Sequence, residues 1–280
     1  MEENKLGYLY IILAMFTWGS IGLIVRLIDL SSQLIVFYRV LFAFIFLLLL
    51  VLQNQELNLD NLLKKKLLLI ATGAALTINW IFFFKAIKTT TIANATLAYY
   101  TAPILATILS VIFLKEKLTK DNLFALILSF VGIVIISDIN NLSLSGLEGI
   151  GYGLLSAFFY ASFMVLNKFF ANLSARVLTL GQTGIAVLIL LPLVYNGTQP
   201  SGIETWLLLL ILGIIHTAGA LVLYVKGLSL SKVQDVGVLS YLDPISAIIL
   251  AALFLNEIPS LLTIVGGSLI LAGCYLVWRE

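Results

Sequence analysis

Apolar residues run along this chain in long blocks of similar length, separated by short polar breaks. Ten blocks can be read, near 7–27, 33–52, 66–87, 92–114, 121–137, 149–170, 176–195, 205–226, 234–255 and 260–278. Each approaches the roughly 20 residues that a helix needs to cross the hydrocarbon of a bilayer. None alternates apolar and polar positions as a barrel strand of about ten residues would. The pattern therefore predicts an all-α membrane protein with ten transmembrane helices. The first block follows Lys5 in the manner of a signal peptide. It is too long for such a segment's apolar core, and no small-x-small cleavage site ends it, so it is expected to remain as a span. Between Glu56 and Lys66 charges interrupt the apolar residues, which fits either a short amphipathic turn along the interface or a solvated loop.

The blocks repeat. Lys85, Tyr100, Pro103, Phe113, Leu114, Glu116 and Gly132 return 141 residues on as Lys226, Tyr241, Pro244, Phe254, Leu255, Glu257 and Gly273. Residues 1–140 and 141–280 are thus expected to be two five-helix repeats. Because five is odd, the second lies upside down relative to the first. Inverted pairs of this kind build one midplane site that can open to either side. Asp138–Glu148, with its Asn, Ser and Gly, reads as the linker between them.

Charge changes the picture by adding direction. Lys and Arg near span ends are retained on the cytoplasmic side. Asn54–Lys66 carries Lys64, Lys65 and Lys66, whereas its counterpart Asn196–Glu204 has no basic residue. Lys115–Lys120 is basic and Asn256–Ser260 is not, while Arg26 stands alone where Lys168 and Arg176 occupy the copy. The charge inverts as the apolar pattern is kept, which places both termini in the cytoplasm. Lys85 and Lys88 are exceptions on the outer side.

Composition narrows the chemistry. The chain is 61% hydrophobic and 11% charged, with a mean hydropathy of +1.11, far from a soluble domain. A net charge of +2 makes no case for nucleic acid. With Cys274 as the sole cysteine and His216 as the sole histidine, neither an intramolecular disulfide nor a thiolate metal cluster is available, and no metal or cofactor is expected. There is no HExxH, no GxSxG and no pair of intramembrane carboxylates, so an intramembrane enzyme lacks its nucleophile, base and orienting group.

Phe37-Tyr38-Arg39 in the second span, a proline midway along the fourth and ninth, and the duplicated Pro103…Phe113-Leu114-Lys115-Glu116…Gly132 and Pro244…Phe254-Leu255-Asn256-Glu257…Gly273 resemble the EamA-type branch of the drug/metabolite transporter superfamily. The resemblance covers essentially the whole chain. It implies a secondary transporter, commonly an exporter of amino acids or related metabolites, in the inner membrane of a bacterium or archaeon, with a cavity lined by spans 1, 3, 4, 6, 8 and 9. Relatives often carry Glu before the ninth-span proline. Here the residue is Asp243.

Asp243 is a functional candidate because an ionised carboxylate at bilayer depth is costly unless it faces protein or water, and Pro244 frees a backbone carbonyl beside it. Its alternative role is to satisfy freed donors without meeting substrate. Helical spacing sets Tyr100 and Pro103 on one stripe of span 4, with Tyr241 and Pro244 as equivalents in span 9, so that the tyrosines are expected to wall a cavity from opposite sides or to pack between helices. Asn79, with Trp80 beside it, is either interhelical glue or a ligand contact. His216 is a neutral hydrogen-bonded residue or, with Asp243, a proton carrier. Trp18 and Tyr160 are equivalent at mid-span, as are Ser20 and Ser162, so the two aromatic residues are expected to wall the same substrate cavity or to pack between helices. Arg39 is expected to pair structurally with a carboxylate or helix-end carbonyls. Glu116 and Glu257 are expected to tie to the helices beginning near Thr119 and Ser260. Gly266, Gly267 and Gly273 serve a homodimer contact or internal packing of a monomer.

The function expected is alternating-access export of a small amine or amino acid. A multidrug or quaternary-amine exporter is the alternative, and a passive channel is a further one. Phosphorylated substrates are disfavoured, since Arg39 is the only basic residue well inside a span.

Overall fold

The computed structural model describes residues 2–25, 27–56, 64–90, 92–136, 144–194, 199–255 and 259–279. Among these residues every regular element is a helix. Five spans run nearly as read from the apolar blocks: span 2 is Ser32–Gln53, span 3 Lys66–Thr89, span 6 Leu144–Lys168, span 7 Ala175–Val194 and span 10 Leu261–Arg279. Span 6 begins before the expected linker ends. Nine described helices are long and apolar enough to cross a membrane. The tenth, span 5 at Lys120–Ile136, shows 17 described residues and packs along span 10. The Glu56–Lys66 segment lies largely outside the described residues, as do Arg26 and Glu257.

Spans 1, 4, 8 and 9 are broken, and the breaks matter. Span 1 comprises Glu2–Gly19 and Ile21–Val25. Span 4 comprises Ile92–Tyr99, Ala102–Leu109 and a widened π turn at Ser110–Leu114. Span 9 is interrupted at the equivalent place, between Val233–Leu239 and Leu242–Leu255. In spans 4 and 9 a proline, Pro103 or Pro244, follows the break, where its missing N–H and fixed φ suit the first turn of a new helix segment. Span 8 carries the longest distortion, a π stretch at Leu212–Gly219 between Ile203–Ile211 and Ala220–Leu230.

The packing is paired across the repeats. Span 1 lies on span 8 as span 6 lies on span 3, while spans 2 and 7, 4 and 9, and 5 and 10 meet their own equivalents. This is the contact pattern of a pseudo-two-fold relation between five-helix units. Small residues let the helices approach, as membrane interfaces favour. A Cβ on Gly132 would lie 2.5 Å from the carbonyl oxygen of Gly266, and one on Gly273 would lie 2.8 Å from that of Ala125. Gly267 faces Ile245. All three span-10 glycines therefore pack internally, the second of the two roles open to them. Gly19 meets span 9, where an added Cβ would stand 2.9 Å from the Asp243 carbonyl oxygen.

Candidate functional site

A cavity of about 350 Å³ occupies the centre of the helical bundle, within the usual range for small-molecule sites. Its deep end is Asp243, at the start of the second segment of span 9, together with Tyr100 at the break in span 4. From there it runs to Val25, Ser32 and Ile87, at the ends of spans 1, 2 and 3 on the face opposite the N-terminus.

The helix breaks place the polar groups. The Tyr100 hydroxyl donates to Asp243 Oδ2 at 3.1 Å, a bond available only because the two interruptions lie side by side. The Tyr241 hydroxyl donates back to the Tyr100 carbonyl at 2.9 Å, so the two broken helices are tied to each other. Tyr241 is fully buried and does not line the cavity. The expectation of two tyrosine walls is thus corrected: Tyr100 faces the hollow, and its equivalent is spent on helix pairing. Pro103 reaches a small recess beside the main cavity, and Gly237 of span 9 packs against it. Pro244 is half-buried and lines neither.

Trp18, Tyr160 and His216 also face the cavity. The widened turn of span 8 leaves the His216 carbonyl accepting from Trp18 Nε1 at 2.9 Å, while His216 Nε2 lies 2.9 Å from Ser20 Oγ. In an unbroken α-helix that carbonyl would bond within its own helix. Ser162, the equivalent of Ser20, donates back to the Phe158 carbonyl within its own helix and does not line the cavity. Asn79 donates to the carbonyl and hydroxyl oxygens of Ser156, and the Ser156 hydroxyl donates to the Asn79 carbonyl. Its amide thus holds spans 3 and 6 together at the cavity wall. Tyr99, unmarked in the sequence reading, lies between Phe83 at 4.6 Å and Tyr160 at 5.7 Å between ring centroids. It neighbours Tyr100 and shares its helix turn, which was the one signal available for it. Nothing in the residue pattern marked Ser32 or Thr217 as cavity residues.

Arg39 differs from its expected role. Among the described residues it forms no ion pair. Its guanidinium lies over the Trp80 ring, 4.8 Å from the centroid, and both side chains line the cavity.

The profile of the EamA-like transporter family matches this chain twice, over residues 5–138 and 147–279. The chain belongs to that family. The two matches coincide with the two five-helix units. The "Uncharacterized transporter YxxF" of Bacillus subtilis is 32% identical over 98% of this chain and 90% of its own length. The "Pseudopaline exporter CntI" of Pseudomonas aeruginosa is 27% identical over 100% of this chain and 98% of its own. A solved crystal structure superposes with a TM-score of 0.84 at 18% identity, covering 96% of this chain and 95% of that one, which supports the fold. The protein is a multi-pass membrane transporter for a small molecule, in a family of transporters rather than enzymes.

In this EamA-like transporter the face bearing the N-terminus is closed by contacts between the repeats. Both carboxylate oxygens of Glu116 accept from the Val233 backbone N–H at 3.1 Å, where the first segment of span 9 begins. Glu116 thus ties span 4 to span 9 of the other repeat, not to the following helix as expected. Lys115 adopts a left-handed φ of 56° after the π turn, directly before this contact. Around it Asp235 accepts from Tyr8 and Asn122, each at 2.8 Å, Gln234 donates to the Lys117 carbonyl, and Lys168 donates to the carbonyls of Leu228 and Ser231.

Removing the Glu116 carboxylate takes away a helix N-cap, at about 1 kcal/mol, which changes a two-state population about fivefold. Glu116→Ala is therefore expected to open this face more often. With Gln234→Cys in a Cys274→Ser background as reporter, maleimide labelling should rise several-fold over the same reporter with Glu116 intact. An unchanged labelling rate would mean that the contact does not hold the face shut.

Proposed function

We propose that the chain is an alternating-access carrier that exports a small amine or amino acid across the cytoplasmic membrane, with both termini inside. The observation that carries this reading is an asymmetry: the cavity runs from Asp243 and Tyr100 at mid-span to the ends of spans 1, 2 and 3, while contacts between the repeats cross the opposite face. A channel would need a path past those contacts. Exchanging the conformations of the two inverted halves would open the sealed face and close the other around the same midplane groups. The basic residues Lys64–Lys66 and Lys115–Lys120 support an inner N-terminal face, and the relative described as an exporter supports the direction.

The lining supports the substrate class. Trp18, Tyr99, Tyr100 and Tyr160 line the same cavity as Asp243, a combination that attracts ammonium groups through ring quadrupoles and charge. The same rings favour the second reading, quaternary amines. Reconstituted vesicles loaded with unlabelled amino acid or choline should show saturable uptake of the labelled compound and counterflow. A pH gradient across the vesicle tests coupling through Asp243 and His216. Flux that stays linear with concentration and shows no counterflow would identify a channel instead.

A further inference from the structure

We propose that the Arg39 guanidinium is a second subsite of the cavity, one that holds a carboxylate of the transported molecule. This rests on the carrier reading above and specifies what its substrate must bear.

Arg39 is only 8% exposed, yet its Nε has no hydrogen-bond partner. A guanidinium at this depth in a span is costly to leave without an anion. No carboxylate among the described residues lies within ion-pair distance of it, and Asp243, the acidic residue that shares its cavity, takes the Tyr100 hydroxyl instead. The Trp80 ring lies 4.8 Å from the guanidinium and covers one side of it. This leaves the donors of a rigid fork available at the rim of a hollow large enough for a small ligand. Such a fork matches a carboxylate in a two-bond geometry. A phosphate dianion would call for further positive charge, and the other described cavity-lining residues include neither Lys nor a second Arg. The cavity is therefore bipolar, with one negative and one positive side chain among aromatic rings. A zwitterion satisfies both ends, whereas a simple amine leaves Arg39 unanswered.

The test uses leucine and leucine amide, which share a side chain and an ammonium group and differ at the carboxylate. Counterflow in vesicles and ligand-induced thermal stabilisation of the purified protein give their relative affinities. The wild type should prefer leucine by roughly tenfold or more, the worth of hydrogen bonds between charged groups. Arg39→Met, which keeps an apolar stem, should erase that preference by weakening leucine, and it should bind leucine amide, a cation freed of a neighbouring positive charge, at least as well as the wild type. Arg39→Lys should retain part of it, and it keeps the proposal testable if the Met variant does not fold. A purely structural arginine would change stability without altering the ratio, so an unchanged preference in the variants overturns the proposal. Equal affinity of the two probes for the wild type also overturns it and leaves the carrier reading standing. Absence of saturable binding or flux for both these probes and choline removes the carrier reading along with it.

Discussion

Asp243→Asn is expected to cut saturable transport by about ten- to a hundredfold while leaving expression and thermal stability close to wild type. The amide is nearly the same shape as the carboxylate and can still accept from the Tyr100 hydroxyl, which sits 3.1 Å away. The fold at the span 4 and span 9 breaks should therefore survive. What disappears is the negative charge at the deep end of the cavity. A hydrogen bond to a charged partner contributes about 1.5–3 kcal/mol, so uptake at low substrate should fall about ten- to a hundredfold. Asp243→Glu restores the charge with one more methylene in a confined end, and should recover partial transport with an altered preference among amines of different length. Initial rates in reconstituted vesicles, compared at equal protein incorporation, decide the matter. Wild-type rates for Asp243→Asn across amino acids and choline would remove the residue from the site.

The second large effect is on the fold. Gly132→Leu should destabilise the protein severely, because the helices of spans 5 and 10 touch backbone to backbone at this point. Even a Cβ there would meet the Gly266 carbonyl oxygen at 2.5 Å and the Ile270 side chain at 2.8 Å. Carbonyl oxygens on a helix cannot rotate aside, so the helices must separate and lose close contact along their length. Overpacking costs about 1–3 kcal/mol where side chains can shift, and here the obstacle is backbone. Gly151→Ala provides the contrast, since no atom lies within 4 Å of an added Cβ there, and alanine in a helix interior is favoured over glycine by about 1 kcal/mol. Thermal unfolding in detergent, followed by size exclusion, should show a large loss for the first and none for the second. Equal midpoints would mean that spans 5 and 10 do not hold each other as described.

Much of the architecture was legible because lipid makes local sequence decisive. Each span must satisfy its own backbone hydrogen bonds, so a long apolar block could be little else than a helix, and Pro103 and Pro244 recur just after the breaks in spans 4 and 9. Glu116 shows where such reasoning stops. Its position at the end of a span implied a partner, but the partner proved to be the Val233 N–H, 117 residues away in the other repeat. Tyr100 and Tyr241 make the same point from the opposite side. Equal by sequence, they divide their roles because Tyr100 borders the hollow while Tyr241 is buried between the paired helices.

By itself the sequence determined the membrane class, the repeat and the family, since hydropathy and repetition are properties summed along the chain. Only the tertiary structure decided which polar side chains share a cavity. That choice depended on two broken helices meeting, on the π-widened turn that aims the His216 carbonyl at Trp18, and on Arg39 finding an indole where a carboxylate was expected. Each is a contact between distant positions set by sub-turn changes in helix geometry, and such changes leave no imprint on apolar periodicity.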